Sequence, residues 1–148
     1  MADSQDIQDI VTEWYRMIER RDVDHVVGMM TEDIVGDMPY SPGGFPRVLH
    51  GIPAHRHHFA NGISGYRQIR FVDFRFWPMQ DPEYVGLQCR GRFVLNNGSP
   101  YENDYFCIYR VVGGKVAWWV EYYNPMVFST SHGGVESACE QYAVDALE

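Results

Sequence analysis

The residue of this chain best suited to chemistry is Glu121, a carboxylate within a run of aromatic residues. Its aromatic neighbours are Trp119, Tyr122 and Tyr123. Because poor solvation disfavours a charged carboxylate, such surroundings should raise the pKa of Glu121 to where one group both takes and gives a proton. We therefore predict that Glu121 is a general acid/base. The alternative is an ion pair at a barrel mouth with Arg47 or Arg70.

Hydrogen-bond donors precede Glu121 on the neighbouring strand-like run. Two-residue alternation predicts one inward face that carries Asn103 and Tyr105. That face comprises Tyr101, Asn103, Tyr105, Cys107 and Tyr109, and the face shared with Glu121 comprises Ala117, Trp119 and Tyr123. Fixed donors of this kind stabilise a developing enolate or alkoxide, so Asn103 and Tyr105 are predicted oxyanion donors. The alternative is a polar network between strands in which both side chains are already satisfied.

An acid/base reaction also needs a counterpart to Glu121, and Asp37 and His55 are the candidates. Asp37 ends a strand-like run just before Pro39, and His55 lies on a predicted helix. Two titratable groups with different environments can divide the acid and base roles. The alternatives are an exposed strand-end carboxylate and a solvent-facing imidazole. His55 and His58 can share a helix face, but no Cys or carboxylate lies at ligand spacing beside them, so no metal site is predicted.

The chain holds 22% charged and 15% aromatic residues, which suits a pocket for flat or ring-shaped ligands as well as an aromatic core. Both interpretations stay open on composition. The predicted substrate-binding residues are Tyr40, Phe45, Phe59, Trp14, Trp119 and Tyr123. Tyr40 and Phe45 belong to the loop at 40–46, which is rich in Pro and Gly and would close over a ligand.

The elements that must position these residues follow from apolar periodicity. Helical spacing predicts helices at about 5–21, 22–30 and 51–61. Strands are predicted at 33–38, 66–77, 84–96, 101–112 and 115–124. Gly113 and Gly114 supply the positive φ of a hairpin turn, and Asn97-Gly98 is interpreted as a turn rather than a glycosylation site. A weaker helical pattern covers 135–147.

Charge and cysteine content exclude several classes of protein. The chain has 148 residues and a formal net charge of −8, which argues against nucleic-acid binding because its 12 Lys and Arg are dispersed. No apolar run reaches the roughly 20 residues that cross a bilayer, and the acidic start lacks signal-peptide character, so we expect a cytoplasmic protein without a membrane partner. Cys89, Cys107 and Cys139 are interpreted as reduced core residues.

Helices followed by a long antiparallel meander predict an α+β fold. In it a strongly curved, mainly antiparallel sheet wraps around the N-terminal helices and leaves a pocket between them. We expect one domain over 1–148, with a core at about 5–128 and a tail at 129–148.

Three motifs carry a resemblance to a known family. They are the segment 33–51, the pattern Glu102-Asn103-x-Tyr105, and the ending Glu121-Tyr122-Tyr123-Asn124-Pro125. With the order of elements they resemble the nuclear transport factor 2-like superfamily, and within it the SnoaL-like polyketide cyclases and the phenazine biosynthesis A/B proteins. In the phenazine proteins an acid/base Glu matches Glu121, whereas their His at a helix start falls on Ile52 here.

The resemblance implies a cone-shaped barrel, a homodimer formed through the sheet, and a cavity that needs no metal or organic cofactor. Activities in the superfamily include isomerisation, cyclisation, dehydration and C–C cleavage, so the fold does not choose the reaction. We expect a cofactor-independent acid/base enzyme acting on a small aromatic or polycyclic hydroxy or carbonyl compound, of lyase, isomerase, cyclase or dehydratase type, retro-aldol cleavage included. The alternative is a non-catalytic protein of the same fold that binds a small ligand or dimerises.

Overall fold

Residues 3–141 are described by a computed structural model, in which two helices open the chain. α1 spans Ser4–Glu19, and Asp3 and Asp6 form a capping box at its start. The buried stripe of α1 contains Ile7, Val11, Trp14, Tyr15, Met17 and Ile18. α2 spans Val23–Gly28 and begins where Asp22 accepts a hydrogen bond from the His25 backbone N–H. Both helices were predicted from the sequence.

Seven strands and three further helices complete the described chain. The strands are β1 Met30–Asp37, β2 Val48–His50, β3 Tyr66–Gln68, β4 Phe71–Pro78, β5 Tyr84–Leu95, β6 Pro100–Val112 and β7 Lys115–Tyr123. The helices are α3 Gly51–Ser64, α4 Pro125–Ser131 and α5 Val135–Gln141. Of the predicted tail helix, positions 142–147 lie outside the described residues, as does the side chain of Cys139.

The strands form one mixed sheet in the order β2-β1-β7-β6-β5-β3, and β4 also pairs with β5. All pairs are antiparallel except β1 with β7, which run parallel. The sheet curves around α1 without closing, so the fold is an open cone. This confirms the predicted α+β class with a strongly curved, mainly antiparallel sheet.

The long hairpin of β6 and β7 carries the site and contains an irregularity. Gly113 and Gly114 turn the chain with φ of 59° and 78°. Tyr109 then pairs with Trp119 and Arg110 with Trp118, but Val111 pairs with Val116, so β7 holds an extra residue. This bulge moves Ala117 to the outer face, which corrects its predicted position on the inner face.

The other differences from the predicted elements are local. The single strand expected at 66–77 is split into β3 and β4, and Asp73 in β4 has a φ of 58° at a register shift. β2 and α4 were not predicted from the sequence. α4 begins at Pro125, where the Asn124 side chain accepts from the backbone N–H groups of Met126 and Val127. Both elements are shorter than eight residues, too short for apolar periodicity to identify them.

Candidate active site

Glu121 lies on β7, directly opposite Cys107 of β6, and faces the cavity between the sheet and the helices. The side chain is half-buried, and the surface it retains lines that cavity. Burial raises the pKa of Glu121 to about 7. None of the ion pairs formed within residues 3–141 involves Glu121, so the alternative of a surface ion pair with Arg47 or Arg70 is wrong.

The cavity has two parts, which we call the first and the second chamber. The first, of about 110 Å³, lies between α1, α3 and the sheet. The second, of about 50 Å³, lies toward the loop before β2 and α4. The walls of both include His58, Tyr105 and Glu121. These three side chains therefore mark the junction of the chambers.

Five of the six predicted substrate-binding residues lie in these walls. Trp14, Phe59 and Trp119 line the first chamber, and Phe45 and Tyr123 line the second. The sixth prediction is wrong. Tyr40 is 58% exposed, and its ring lies 5.3 Å from that of Tyr122. It covers no part of either chamber, because the loop turns its side chain outward.

Tyr105 faces the cavity, as predicted, and lies at the junction of the chambers, where its hydroxyl donates to the Tyr101 hydroxyl at 3.0 Å. Burial, then the nearby Tyr101 and Glu121, raise the pKa of Tyr105 well above its usual value, so the hydroxyl keeps its proton. A phenol carries one O–H proton, so donation to a ligand oxygen requires the hydrogen bond to Tyr101 to be exchanged. Tyr105 therefore lines the cavity, and its role as an oxyanion donor stays a prediction.

Asn103 is buried but does not line either chamber. Its amide nitrogen donates to the Tyr101 hydroxyl at 2.9 Å and to the Asn124 carbonyl at 3.0 Å. Its amide oxygen accepts from the backbone N–H groups of Asp104 and Asn124. The amide is thus committed to holding β6 against the end of β7, so the prediction of an oxyanion donor is corrected to the alternative of a satisfied polar network.

Asp37 is likewise separated from Glu121. On β1, Gly36 pairs with Trp119 and lies against its indole, whereas Asp37 pairs with Val120. Because successive side chains point to opposite faces, Asp37 projects away from the cavity. Its carboxylate accepts from Arg47 Nε at 3.4 Å. The structure therefore does not support Asp37 as the acid/base counterpart.

His55 is fully buried, but both ring nitrogens are occupied. Nδ1 donates to the Gly51 carbonyl at 2.7 Å, and Nε2 accepts from Trp119 Nε1 at 3.0 Å. Burial lowers the pKa of His55, which keeps the ring neutral and preserves both bonds. His55 thus positions Trp119 rather than facing a ligand, which corrects its predicted role as the partner of Glu121. Arg56, the next residue of α3, is exposed and pairs with Asp24.

The imidazole that does line the cavity is His58, which was not selected from the sequence. It lies almost one helical turn after His55. Burial, then the nearby His55 and His57, lower the pKa of His58 to about 4, so its ring is neutral near pH 7. The three-residue spacing of His55 and His58 placed both on one face of α3, and this spacing is the signal from which His58 could have been found.

A second missed feature is the pair of hydroxyls on Tyr15 and Tyr109, which are 2.6 Å apart. Tyr15 also donates to Cys107 Sγ at 3.4 Å, and both tyrosines line the first chamber. Burial raises the pKa of each well above the usual value, and the charge of Glu121 adds to this in both cases. The two phenols therefore stay protonated within electrostatic reach of Glu121.

Among residues 3–141, no three His, Cys, Asp or Glu side chains are grouped so as to hold a metal ion. Within the same range, no helix is both long and apolar enough to cross a membrane. Cys89 and Cys107 are buried free thiols, as expected.

Comparison with known proteins agrees with this architecture. An uncharacterised PhzA/B-like protein of Pseudomonas aeruginosa is 25% identical over 137 residues, which cover 90% of this chain and 94% of that protein. A Bacillus subtilis protein proposed to be an isomerase has a TM-score of 0.85 at 18% identity, covering 90% and 97% of the two chains. A phenazine biosynthesis-related protein of Pseudomonas aeruginosa has a TM-score of 0.73 at 16% identity, covering 86% and 81%.

The comparison that decides the family is with a model of the SnoaL-like domain, which matches residues 11–119. That match spans well over half of the chain, from the middle of α1 to the site strand β7, and so includes most of both chambers. The predicted resemblance is confirmed, and the chain belongs to the SnoaL-like family.

Proposed function

We propose that this protein is a cofactor-independent acid/base enzyme acting on a small aromatic or polycyclic hydroxy or carbonyl compound. The observation that carries the proposal is Glu121, a carboxyl group with a pKa near 7 in an aromatic cavity. A pKa close to the working pH gives useful amounts of both protonation forms. Groups with such shifts concentrate at functional sites.

The walls of the chambers supply the remaining roles. The Glu121 carboxylate takes a proton from the carbon between a carbonyl and a C=C bond; the C–H electron pair forms a new C=C bond to the carbonyl carbon, and the carbonyl π pair moves to oxygen to give a dienolate. A hydroxyl of Tyr105, Tyr15 or Tyr109 exchanges its present hydrogen bond and donates to this oxygen. The oxygen pair then re-forms the carbonyl, and Glu121 returns the proton to the far carbon of the original C=C bond. Preorganised donors of this kind are each worth roughly 2.7 to 4 kcal/mol of transition-state stabilisation. His58 is the candidate counterpart as a neutral imidazole.

This set of groups suits isomerisation most directly, and cyclisation, dehydration and retro-aldol cleavage require the same proton transfers. The similarity to a protein proposed to be an isomerase supports the proposal. A cytoplasmic location is part of it, since two buried reduced thiols are typical of a reducing compartment. The proposal also includes a homodimer formed through the outer face of the sheet.

The test is turnover of a panel of phenolic, hydroxylated-aromatic and ketone compounds, followed by mass spectrometry without added metal. Wild type is compared with Glu121→Gln and with Glu32→Gln, an exposed control on β1. We expect Glu121→Gln to lower kcat/KM by about 10²- to 10⁴-fold and the control to leave it unchanged. The wild-type rate should rise with pH through about 7, because the base form of Glu121 increases there. Unchanged kcat/KM in Glu121→Gln would contradict the proposal.

A second candidate function is ligand binding without catalysis. This function is favoured because the side chains of His55, Asn103 and Asp37 are bound to other groups of the protein. None of the three is therefore at hand to assist Glu121 in catalysis. In that case Glu121→Gln keeps ligand affinity, and neither protein yields product from any compound in the panel.

A further inference from the structure

The two chambers constrain the charge of the ligand. Glu121 is the one carboxylate in their walls, and no Lys or Arg side chain of the described chain lines either chamber. Arg16 of α1 also lies outside both walls, and its guanidinium donates to the Glu19 carboxylate at 2.6 Å. A ligand anion would therefore be desolvated beside Glu121 with no cation in the walls to compensate it.

The sizes of the chambers constrain the shape of the ligand. An apolar cavity of about 150 Å³ is known to hold a benzene molecule. The first chamber, of about 110 Å³ and lined by rings, is smaller than that cavity, so it has room for at most one aromatic ring and none for a fused polycycle. The second chamber, of about 50 Å³, suits a group of a few heavy atoms, and the hydroxyl-bearing Tyr101 and Tyr123 lie in its walls.

The position of Glu121 connects these two constraints. It lies in the walls of both chambers together with His58 and Tyr105. A molecule whose reacting atom lies at this junction can therefore place one part in each chamber while that atom exchanges a proton with Glu121. A cationic ligand would lower the pKa of Glu121 and so weaken the carboxylate as the base of that exchange.

We propose that the substrate is an uncharged compound with a single aromatic ring in the first chamber, joined through the reacting carbon at the junction to a small polar group in the second chamber. This ligand class rests on the proposed function, and it narrows the substrate from aromatic or polycyclic compounds to monocyclic, neutral and two-part ones.

The test of charge is calorimetric binding at pH 8 of three probes with the same ring: 4-phenyl-2-butanone, 3-phenylpropanoate and 3-phenylpropylammonium. We expect the ketone to bind and the carboxylate to bind at least about tenfold more weakly. In Glu121→Gln the difference in affinity between the ketone and the carboxylate should become smaller, because the charge that repels the carboxylate is gone. Equal affinity of ketone and carboxylate would overturn the inference, as would tighter binding of the ammonium probe than of the ketone to Glu121→Gln, in which no charge attracts the ammonium group.

The test of shape compares 4-phenyl-2-butanone with phenol, which needs only the first chamber. Phe45→Trp narrows the second chamber. It should weaken binding of the ketone at least about fivefold and leave the affinity for phenol unchanged. Ile69→Phe narrows the first chamber and should weaken binding of both probes. An equal effect of Phe45→Trp on the two probes would overturn the two-part assignment.

These outcomes are separate from those of the proposed function, since binding requires no turnover. Probes that bind in the expected order, with no compound of the turnover panel converted by the wild type, would remove the catalytic proposal and keep the ligand class. Conversion of a compound that depends on Glu121, together with tight binding of the carboxylate probe, would keep the catalytic proposal and remove the ligand class.

Discussion

At the scale of single residues, the site depends on a carboxyl group whose charge no Lys or Arg of the described chain compensates in the chamber walls. Burial raises the pKa of Glu121 to about 7 from a usual value of 4.5. Between these two values the folded protein binds more protons than the unfolded chain, so its stability falls as the pH rises through that window. The full cost of burying the charged carboxylate is therefore present above about pH 7.

This cost can be measured by removing the charge. Glu121→Gln should raise the free energy of unfolding relative to wild type by up to about 3 kcal/mol at pH 8, and by much less at pH 5, where the carboxyl is neutral in the folded state. Urea denaturation at the two pH values measures the difference, with Glu32→Gln as the exposed control. A gain of equal size at both pH values would show that burial does not raise the pKa of Glu121.

At the scale of elements, the site depends on the contact between β1, β7 and α3. Trp119 of β7 donates to His55 of α3, and its indole occupies the space above Gly36 of β1. A Cβ at position 36 would collide with the indole ring. The glycine is needed there because it lets an indole lie flat on the sheet and form a wall of the first chamber.

Gly36→Ala tests this close approach. The methyl group should displace the Trp119 indole, break its hydrogen bond to His55 and lower the free energy of unfolding by roughly 1 to 3 kcal/mol. The matched control is Gly28→Ala at the end of α2, where an added Cβ meets nothing within 4 Å. That variant should be neutral or more stable by up to about 1 kcal/mol. Urea denaturation of both variants measures the effect, and equal stabilities would contradict the argument.

At the scale of the whole molecule, the outer face of the sheet differs from the cavity face. It exposes Trp77 and Phe106 at 40% and 37%, beside the ion pairs Arg90–Asp104 and Arg92–Glu102. Aromatic residues are enriched at protein–protein interfaces relative to the rest of the surface. We therefore expect the proposed homodimer to form on this face.

The dimer is tested by Phe106→Glu, which places a charge at the centre of β6. Light scattering at micromolar concentration should give a dimer mass for wild type and a monomer mass for the variant, with an unchanged circular dichroism spectrum. Val135→Glu is the control, because Val135 is 44% exposed at the start of α5, a helix that packs on α4. A monomeric wild type, or a dimer unaffected by Phe106→Glu, would contradict the expectation.

The sequence by itself determined the fold class, most of the long elements and the position of Glu121. Apolar periodicity and turn residues are local signals, and they located α1, β5, β6 and β7 to within a few residues. The aromatic run around Glu121 also indicated the raised carboxyl pKa before any packing was known.

Only the tertiary structure decided which groups meet Glu121. The direction of a side chain depends on its exact position along the strand or helix. Asp37 lies one residue beyond Gly36, so its side chain points to the opposite face, away from the cavity. The bulge in β7 likewise places Ala117 on the outer face of the sheet. His55 and His58 look alike in the sequence, yet packing assigns one to Trp119 and the other to the cavity. Asn103 is committed to backbone groups distant in the chain, and such long-range hydrogen bonds leave no local pattern.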